Sequence, residues 1–74
     1  MAAPIRVHRP TAGGGRRVTV RRHGVDHPLG MAYRDADVVE FLRRAGMADV
    51  GEEVLDDAES VGWEGAGPHE WPAA

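Results

Sequence analysis

Two stretches near the start of the chain place apolar side chains at every second position. They are residues 5–9 and 16–22. Alternation with a period of two is typical of a strand that buries one face, and valine and threonine favour strands. Residues 10–15 between them include three consecutive glycines and are typical of a loop. The pattern therefore predicts a β-hairpin with a six-residue loop.

A turn and a third strand are predicted after the hairpin. Residues 24–28 contain Asp26 and Pro28, which are common turn residues. Residues 29–33 alternate again, although Gly30 weakens the strand pattern there. We expect the third strand to bury the same kind of apolar face as the hairpin.

The hydrophobic period then changes to that of a helix. Asp35 or Asp37 can cap its start, and Asp37 with Glu40 has the spacing of a capping box. Gly46 suits the left-handed position just beyond a helix end. These signals predict a helix over about 36–45, with one apolar face formed by Val38, Phe41, Leu42 and Ala45.

A second, acidic helix is predicted over about 50–59. Its apolar positions fall near one face, and its other face carries Glu52, Glu53, Asp56, Asp57 and Glu59. Acids near a helix C-terminus oppose the helix dipole, so this helix should be short. A short strand at 61–64 should follow, and 65–74 is rich in glycine and proline.

These elements predict an α+β fold: a hairpin, a third strand, two helices and a short C-terminal strand. The expected domain covers residues 1–64, with 65–74 as a C-terminal tail. A chain this short buries only about 60% of its unfolded surface, so its core is marginal. The expected core consists of Ile5, Val7, Val18, Val20, Leu29, Met31, Val38, Phe41, Leu42, Val54, Leu55 and Trp63.

The charges are sorted along the chain. Residues 1–34 carry seven arginines against the single acid Asp26, whereas residues 35–74 carry eleven acids against Arg43 and Arg44. Such asymmetry indicates a polyanionic partner, an acidic masking element, or both. All basic residues are arginine, which is typical of a GC-rich genome such as that of an actinobacterium.

Strand alternation sends one set of arginines to one face of the hairpin. If the apolar residues face the core, then Arg6, Arg17 and Arg21 point outward. Like charges opposed across strands are destabilising, so something should neutralise them. The alternatives are solvent or internal acids, a nucleic acid or other polyanion, and an acidic protein partner. The acids Glu52, Glu53, Asp56 and Asp57 could cover this face or bind elsewhere.

Trp63 and Trp71 are further interaction candidates, because tryptophan is enriched among interface hot spots. The alternatives are a core position for Trp63 and, for Trp71, a docked or a disordered tail. His23, Asp26 and His27 form a weak metal-binding or acid–base hint, for which structural or solvated histidines are the simpler explanation. The chain has no cysteine, which excludes thiolate ligands and disulfides.

The sequence as a whole favours a small non-enzymatic protein–protein interaction module. Such an accessory or regulatory protein would bind another protein or itself through charge-complementary surfaces. Nucleic-acid binding through the arginine-rich hairpin is the second hypothesis, and a minor metal-binding or catalytic role is the third. No cofactor is expected. The absence of an apolar stretch of about 18 residues and of a signal-peptide core favours a cytoplasmic location without a membrane partner.

Overall fold

The computed structural model describes residues 3–47 and 49–72. It contains four strands, β1 (Ile5–Pro10), β2 (Arg16–Arg22), β3 (Val25–Ala32) and β4 (Val61–Trp63). The helix α1 (Asp35–Arg44) follows β3, and a 3-10 helix (Glu52–Asp56) precedes β4. The strands form one sheet in the order β3-β2-β1-β4, with β4 parallel to β1 and the other pairs antiparallel. The predicted α+β fold is confirmed.

The hairpin of β1 and β2 has the predicted alternation of faces. Ile5 pairs with Val20 and Val7 pairs with Val18, and all four side chains are buried in the core. The polar side chains between them lie on the opposite side of the sheet. We call this side the outer face; on β1 and β2 it carries Arg6, His8, Arg17, Thr19 and Arg21.

The third strand is longer than predicted and its alternation is shifted. The segment expected to be a turn, 24–28, is mostly strand, because the chain reverses at His23 and Gly24 instead. The pairing with β2 is irregular between Val18 and Thr19, so Leu29 is an extra residue on β3. A bulge of this kind reverses which later side chains point inward.

Because of this bulge, the prediction that Met31 belongs to the core is wrong. Met31 pairs with Arg17 on the outer face and is 37% exposed, whereas Ala32 pairs with Arg16 and is buried. Leu29 remains partly buried against the core, as Phe41 does.

Helix α1 ends as its sequence signals predict, but the predicted cap at its start is wrong: Arg34 is the N-cap residue, it makes no side-chain cap hydrogen bond, and Asp35 and Asp37 lie in the first turn. The amide N–H of Met47 donates to the Leu42 carbonyl, and that of Gly46 donates to the Arg43 carbonyl. These are the two hydrogen bonds of a Schellman motif, with Gly46 at φ 106° in the left-handed position. At the other end, the Asp37 carboxylate accepts a hydrogen bond from the backbone N–H of Tyr33.

The acidic helix is a five-residue 3-10 helix, shorter than the predicted span of about 50–59. Val54 and Leu55 are buried, and the indole N–H of Trp63 donates to the Leu55 carbonyl at 3.0 Å. The shortening fits the sequence, because Asp56 and Asp57 at the C-terminal end oppose the helix dipole and the last turn has no basic residue. Short 3-10 segments are common as connectors of this kind.

The core lies between the inner side of the sheet and the layer formed by α1 and the 3-10 helix. Most of the predicted members are buried or packed against the buried cluster, and Ala32, Val39 and Val61 join them. No helix in the described part of the chain is long and apolar enough to cross a membrane.

Among the residues that the structure describes, Arg16 is the one charged residue that is buried. Alternation places its side chain on the same inner face as Val18, and it is fully buried. Its guanidinium donates all five N–H groups to backbone carbonyls, at 2.8–3.0 Å, of His8, Glu64, Ala66, Gly67 and Glu70. Four of these acceptors belong to residues 64–72, which we call the C-terminal segment.

Two indole rings complete the surroundings of Arg16. Its guanidinium carbon lies 5.1 Å from the Trp63 ring centroid and 5.6 Å from that of Trp71. Both distances are within the range of cation–π attraction. Burial lowers the pKa of Arg16 and the nearby Glu70 carboxylate raises it. An arginine still remains charged at neutral pH.

Candidate binding surface on the outer sheet face

The outer face is left uncovered by the described layers of the fold. Helix α1 and the 3-10 helix contribute their buried residues to the core on the other side of the sheet. Arg17 and Arg21 are exposed, and Arg6 and His8 are half-buried. The sequence prediction that Arg6, Arg17 and Arg21 share one face therefore agrees with the strand register.

Two of these arginines are paired with acids that come from neighbouring strands. Arg6 forms a hydrogen-bonded ion pair with Glu64, just beyond β4. Arg21 donates to both carboxylate oxygens of Asp26 on β3, at 2.9 and 3.3 Å. This hydrogen bond raises the pKa of Arg21 and lowers the pKa of Asp26. The edges of the outer face are thus locally neutralised.

Two further arginines lie at the end of the hairpin near the β1–β2 loop, beyond these pairs. Arg9 and Arg17 take part in no salt bridge within residues 3–47 and 49–72. Together with His8 and Thr11 they line an open depression of about 350 Å³. We call these four residues the basic patch.

A second irregularity in the sheet creates the basic patch. Val7 pairs with Val18 and Pro10 with Arg16, so β1 spans three residues where β2 spans two. The extra residue in β1 is a bulge, and bulges redirect side chains. Here it lets the consecutive residues His8 and Arg9 both line the depression.

Other groups hold the patch residues in place. The His8 ring shares a 2.9 Å hydrogen bond with the Thr19 hydroxyl, and its other nitrogen lies 3.5 Å from the Glu64 carboxylate. The Thr11 hydroxyl donates to the Gly15 carbonyl at 2.9 Å. Its proton is therefore already used, and the guanidinium groups of the patch are the main donors toward solvent.

Two exposed side chains with apolar surface lie beside Arg17. Met31 is its partner on β3, and Tyr33 is 59% exposed. Both lie against Gly15, where any side chain would overlap them. The patch is therefore bordered by a methionine and a tyrosine, two residue types that are enriched in protein interfaces together with arginine.

The acidic segment does not cover the outer face. Glu52, Glu53, Asp56 and Asp57 are exposed, and they lie on the 3-10 helix or at its end, in the opposite layer. Asp56 accepts from His69, and Asp57 accepts from the Ser60 hydroxyl. The acids and the unpaired arginines thus form separate surfaces.

The two tryptophans lie in the interior cluster around Arg16. Their rings are 6.0 Å apart in an edge-to-face arrangement, and both are partly buried. The Trp71 indole N–H donates to Asp35 at 2.6 Å. Of the alternatives left open by the sequence, Trp71 therefore docks the C-terminal segment onto α1.

His69 links the C-terminal segment to both helices. Its ring nitrogens lie 2.5 Å from Asp35 and 2.6 Å from Asp56. These two hydrogen bonds, first with Asp35 and then with Asp56, raise the pKa of His69 to about 9. A doubly protonated imidazole can donate to both carboxylates at once.

This bridge predicts a pH-dependent stability. The pKa of His69 in the folded protein exceeds its usual value of 6.5. The stability that its protonation adds is therefore fully present below about pH 6.5 and is lost as the pH rises through about 9. Urea unfolding between pH 6 and 10 should show this loss in the wild type and not in His69→Gln. His27→Gln, on exposed β3, is the matched control and should retain the wild-type slope.

His23, Asp26 and His27 do not form a common site. Asp26 faces Arg21, and His27 pairs with Val20 on the next position of β3. His23 lies in the turn with φ 54°. Within the residues that the structure describes, no group of three or more histidine or acidic side chains could hold a metal ion.

Sequence reasoning missed the importance of Arg9 and Arg16. Neither was among the candidate residues, and for Arg9 the hairpin pattern gives no sign of the bulge in β1. One signal could have found Arg16: it lies two and four positions before Val18 and Val20, so strand alternation puts this cation on the buried face with them.

The fold and this surface define a small two-layer α+β domain in which one face of the sheet carries exposed arginines. Comparison with known protein families, with curated proteins and with solved structures found no match to the chain.

Proposed function

We propose that this protein is a small non-enzymatic interaction module, an accessory or regulatory protein that binds an acidic segment of another protein. The outer face of the sheet would be the binding surface. The observation that carries the proposal is the positive charge of Arg9 and Arg17, which pair with no acid among residues 3–47 and 49–72, on a face that the acidic segment leaves open.

The composition of this surface supports a protein ligand. Arginine forms bidentate hydrogen bonds with carboxylates, and the adjacent Met31 and Tyr33 offer apolar contact. The nearby pairs Arg6–Glu64 and Arg21–Asp26 would restrict the orientation of the ligand, because Glu64 and Asp26 repel any further acidic groups that it carries. A short segment with a few acids fits this pattern better than a long polyanion does.

Fluorescence anisotropy with a labelled peptide tests the proposal. The probe is a twelve-residue peptide with four glutamates around one phenylalanine, titrated at 20 and 150 mM salt. We expect binding that weakens with salt and falls about tenfold in the double variant Arg9→Met/Arg17→Met, since each exposed ion pair contributes up to about 1 kcal/mol.

The matched control is the double variant Arg34→Met/Arg44→Met. These arginines are exposed on α1 or next to it and are paired locally with Asp37 and Glu40. The control removes the same charge from another surface, so it should keep most of the affinity. Equal losses in both double variants, or no binding at 20 mM salt, would contradict the proposal.

Self-association is a form of the same function. A second copy could offer the exposed acids Glu52, Glu53 and Asp57 to the basic patch. Such a head-to-tail contact uses two different surfaces and can continue into rings or chains. Sedimentation velocity over a hundredfold concentration range at 20 mM salt should then show growing species, and Arg17→Glu should abolish them.

Nucleic-acid binding is the second candidate, and the position of Tyr33 beside Arg17 favours it. Sheet faces that bind single strands combine cations with aromatic stacking surfaces. The acids Glu64 and Asp26 on the same face, and a net charge of −3, argue against a large phosphate footprint. Titrating a labelled single-stranded RNA and a DNA duplex at 20 mM salt would decide, since binding must be strongest there.

A further inference from the structure

The basic patch differs from the rest of the outer face in the way its cations are arranged. Elsewhere on that face each arginine has one carboxylate partner. At the patch, Arg9 and Arg17 border a depression of about 350 Å³ that a single compact anion could enter. Because the bulge in β1 fixes His8 and Arg9 opposite β2, the donors converge from two strands.

The number and kind of donors exceed what one carboxylate can accept. Two guanidinium groups present up to ten N–H donors, and a carboxylate has only about four acceptor positions. A phosphate monoester has three terminal oxygens and close to two negative charges at neutral pH, so it can accept from both arginines at once. Bidentate arginine–phosphate pairs are among the strongest charge-assisted hydrogen bonds.

The hydrogen-bond acceptors beside His8 already have partners. Glu64, whose carboxylate lies 3.5 Å from His8, is paired with Arg6, and the Thr19 hydroxyl is hydrogen-bonded to the His8 ring. The entering anion therefore meets one partly neutralised carboxylate at the β4 side and no acid from Met31 or Tyr33 at the β3 side. Tyr33 and Met31 on that second side can contact the chain that carries the phosphate.

We propose that the basic patch is a phosphoryl-binding site that takes a phosphorylated side chain within an acidic partner segment. Arg9 and Arg17 hold the phosphate oxygens, and His8 lines the depression beneath them. This inference rests on the proposed function, because the phosphate is the anchor of the same partner segment on the same face.

The test compares three peptides that differ at one central position. The peptides carry phosphoserine, glutamate or serine at that position, with identical acidic flanks. Affinities are measured by anisotropy in phosphate-free buffer at 20 and 150 mM salt. We expect the phosphoserine peptide to bind about tenfold more tightly than the glutamate peptide, and 20 mM inorganic phosphate to remove most of that difference.

Variants show whether the preference belongs to the patch. Arg17→Met and Arg9→Met should each reduce the preference for phosphoserine to about twofold or less. Arg21→Met is the matched control, because Arg21 lies on the same face and strand but is paired with Asp26. It should keep the full preference, and circular dichroism should show all three variants folded.

The outcomes separate the inference from the function. Equal affinity for the phosphoserine and glutamate peptides would overturn the phosphoryl site and leave acidic-segment binding intact. Loss of the preference in Arg21→Met as well would overturn its assignment to the patch. If none of the peptides binds at 20 mM salt, both the inference and the proposed function are wrong.

Discussion

Replacing Arg16 with methionine is expected to lower the free energy of unfolding by about 3–5 kcal/mol, comparable to breaking a buried ion pair. Methionine fills much of the same volume but donates no hydrogen bond. The five carbonyls that accept from Arg16 would then lose their partners, four of them in the C-terminal segment. A buried acceptor without a partner costs about 1–3 kcal/mol.

The geometry of the guanidinium group explains why no other residue can replace Arg16. Its five donors lie in one plane, and the rings of Trp63 and Trp71 are near enough to attract the cation. Lysine has three donors on one atom and cannot reach carbonyls on opposite sides. Arg16→Lys should therefore lose about half as much stability as Arg16→Met.

Urea denaturation followed by tryptophan fluorescence measures both variants, because the two indoles lie against Arg16. Arg17→Met is the matched control, because Arg17 is the next residue along the chain and its side chain points to solvent. This variant should change the unfolding free energy by no more than about 0.5 kcal/mol. If Arg16→Met unfolds outright, Arg16→Lys still provides the measurement. Wild-type stability in both Arg16 variants would show that the C-terminal segment does not depend on this cation.

Gly65→Ala is expected to destabilise the fold by about 2–4 kcal/mol. Gly65 has φ 78°, a conformation that costs other residues roughly 1–2 kcal/mol. A β-carbon at Gly65 would also overlap the Arg9 side chain and lie 3.0 Å from the Arg9 Cα. Overpacking against backbone adds about 1–3 kcal/mol, because the backbone cannot move aside without disturbing the sheet.

The same unfolding measurement tests this variant. Gly13→Ala is the matched control, because it lies in the β1–β2 loop with no atom near the added carbon. It should be neutral or slightly stabilising, since alanine restricts the unfolded chain. Gly65→Ala should in addition weaken acidic-peptide binding, because it displaces Arg9. An unchanged midpoint in Gly65→Ala would contradict the close packing of the C-terminal segment on β1.

The alternation of the hairpin and the signals around α1 predicted most of the fold. Both depend on residues that are close in sequence. The alternation along each strand predicted its inner and outer faces, and Gly46 predicted the end of the helix. The position of Met31 was wrong because the bulge at Leu29 arises from pairing with β2. No local pattern in residues 29–33 reports that pairing.

The candidate site was predicted in part. Parity correctly put Arg6, Arg17 and Arg21 on one face, and the acids were expected either to cover them or to lie elsewhere. That Glu64 and Asp26 would pair with Arg6 and Arg21 depends on the order of the strands. The role of Arg16 depends on tertiary contacts with residues about fifty positions away, which single-sequence patterns do not encode.

The central claim is that the outer sheet face, at the basic patch, is the surface that binds a partner. Titrating the unlabelled acidic peptide into ¹⁵N-labelled protein and following amide shifts tests it most directly. The account predicts shifts concentrated at residues 8, 9, 11, 17, 31 and 33, with residues 52–57 and 66–72 little changed. Shifts confined to the β4 edge or the C-terminal segment, with none at Arg9 and Arg17, would contradict it.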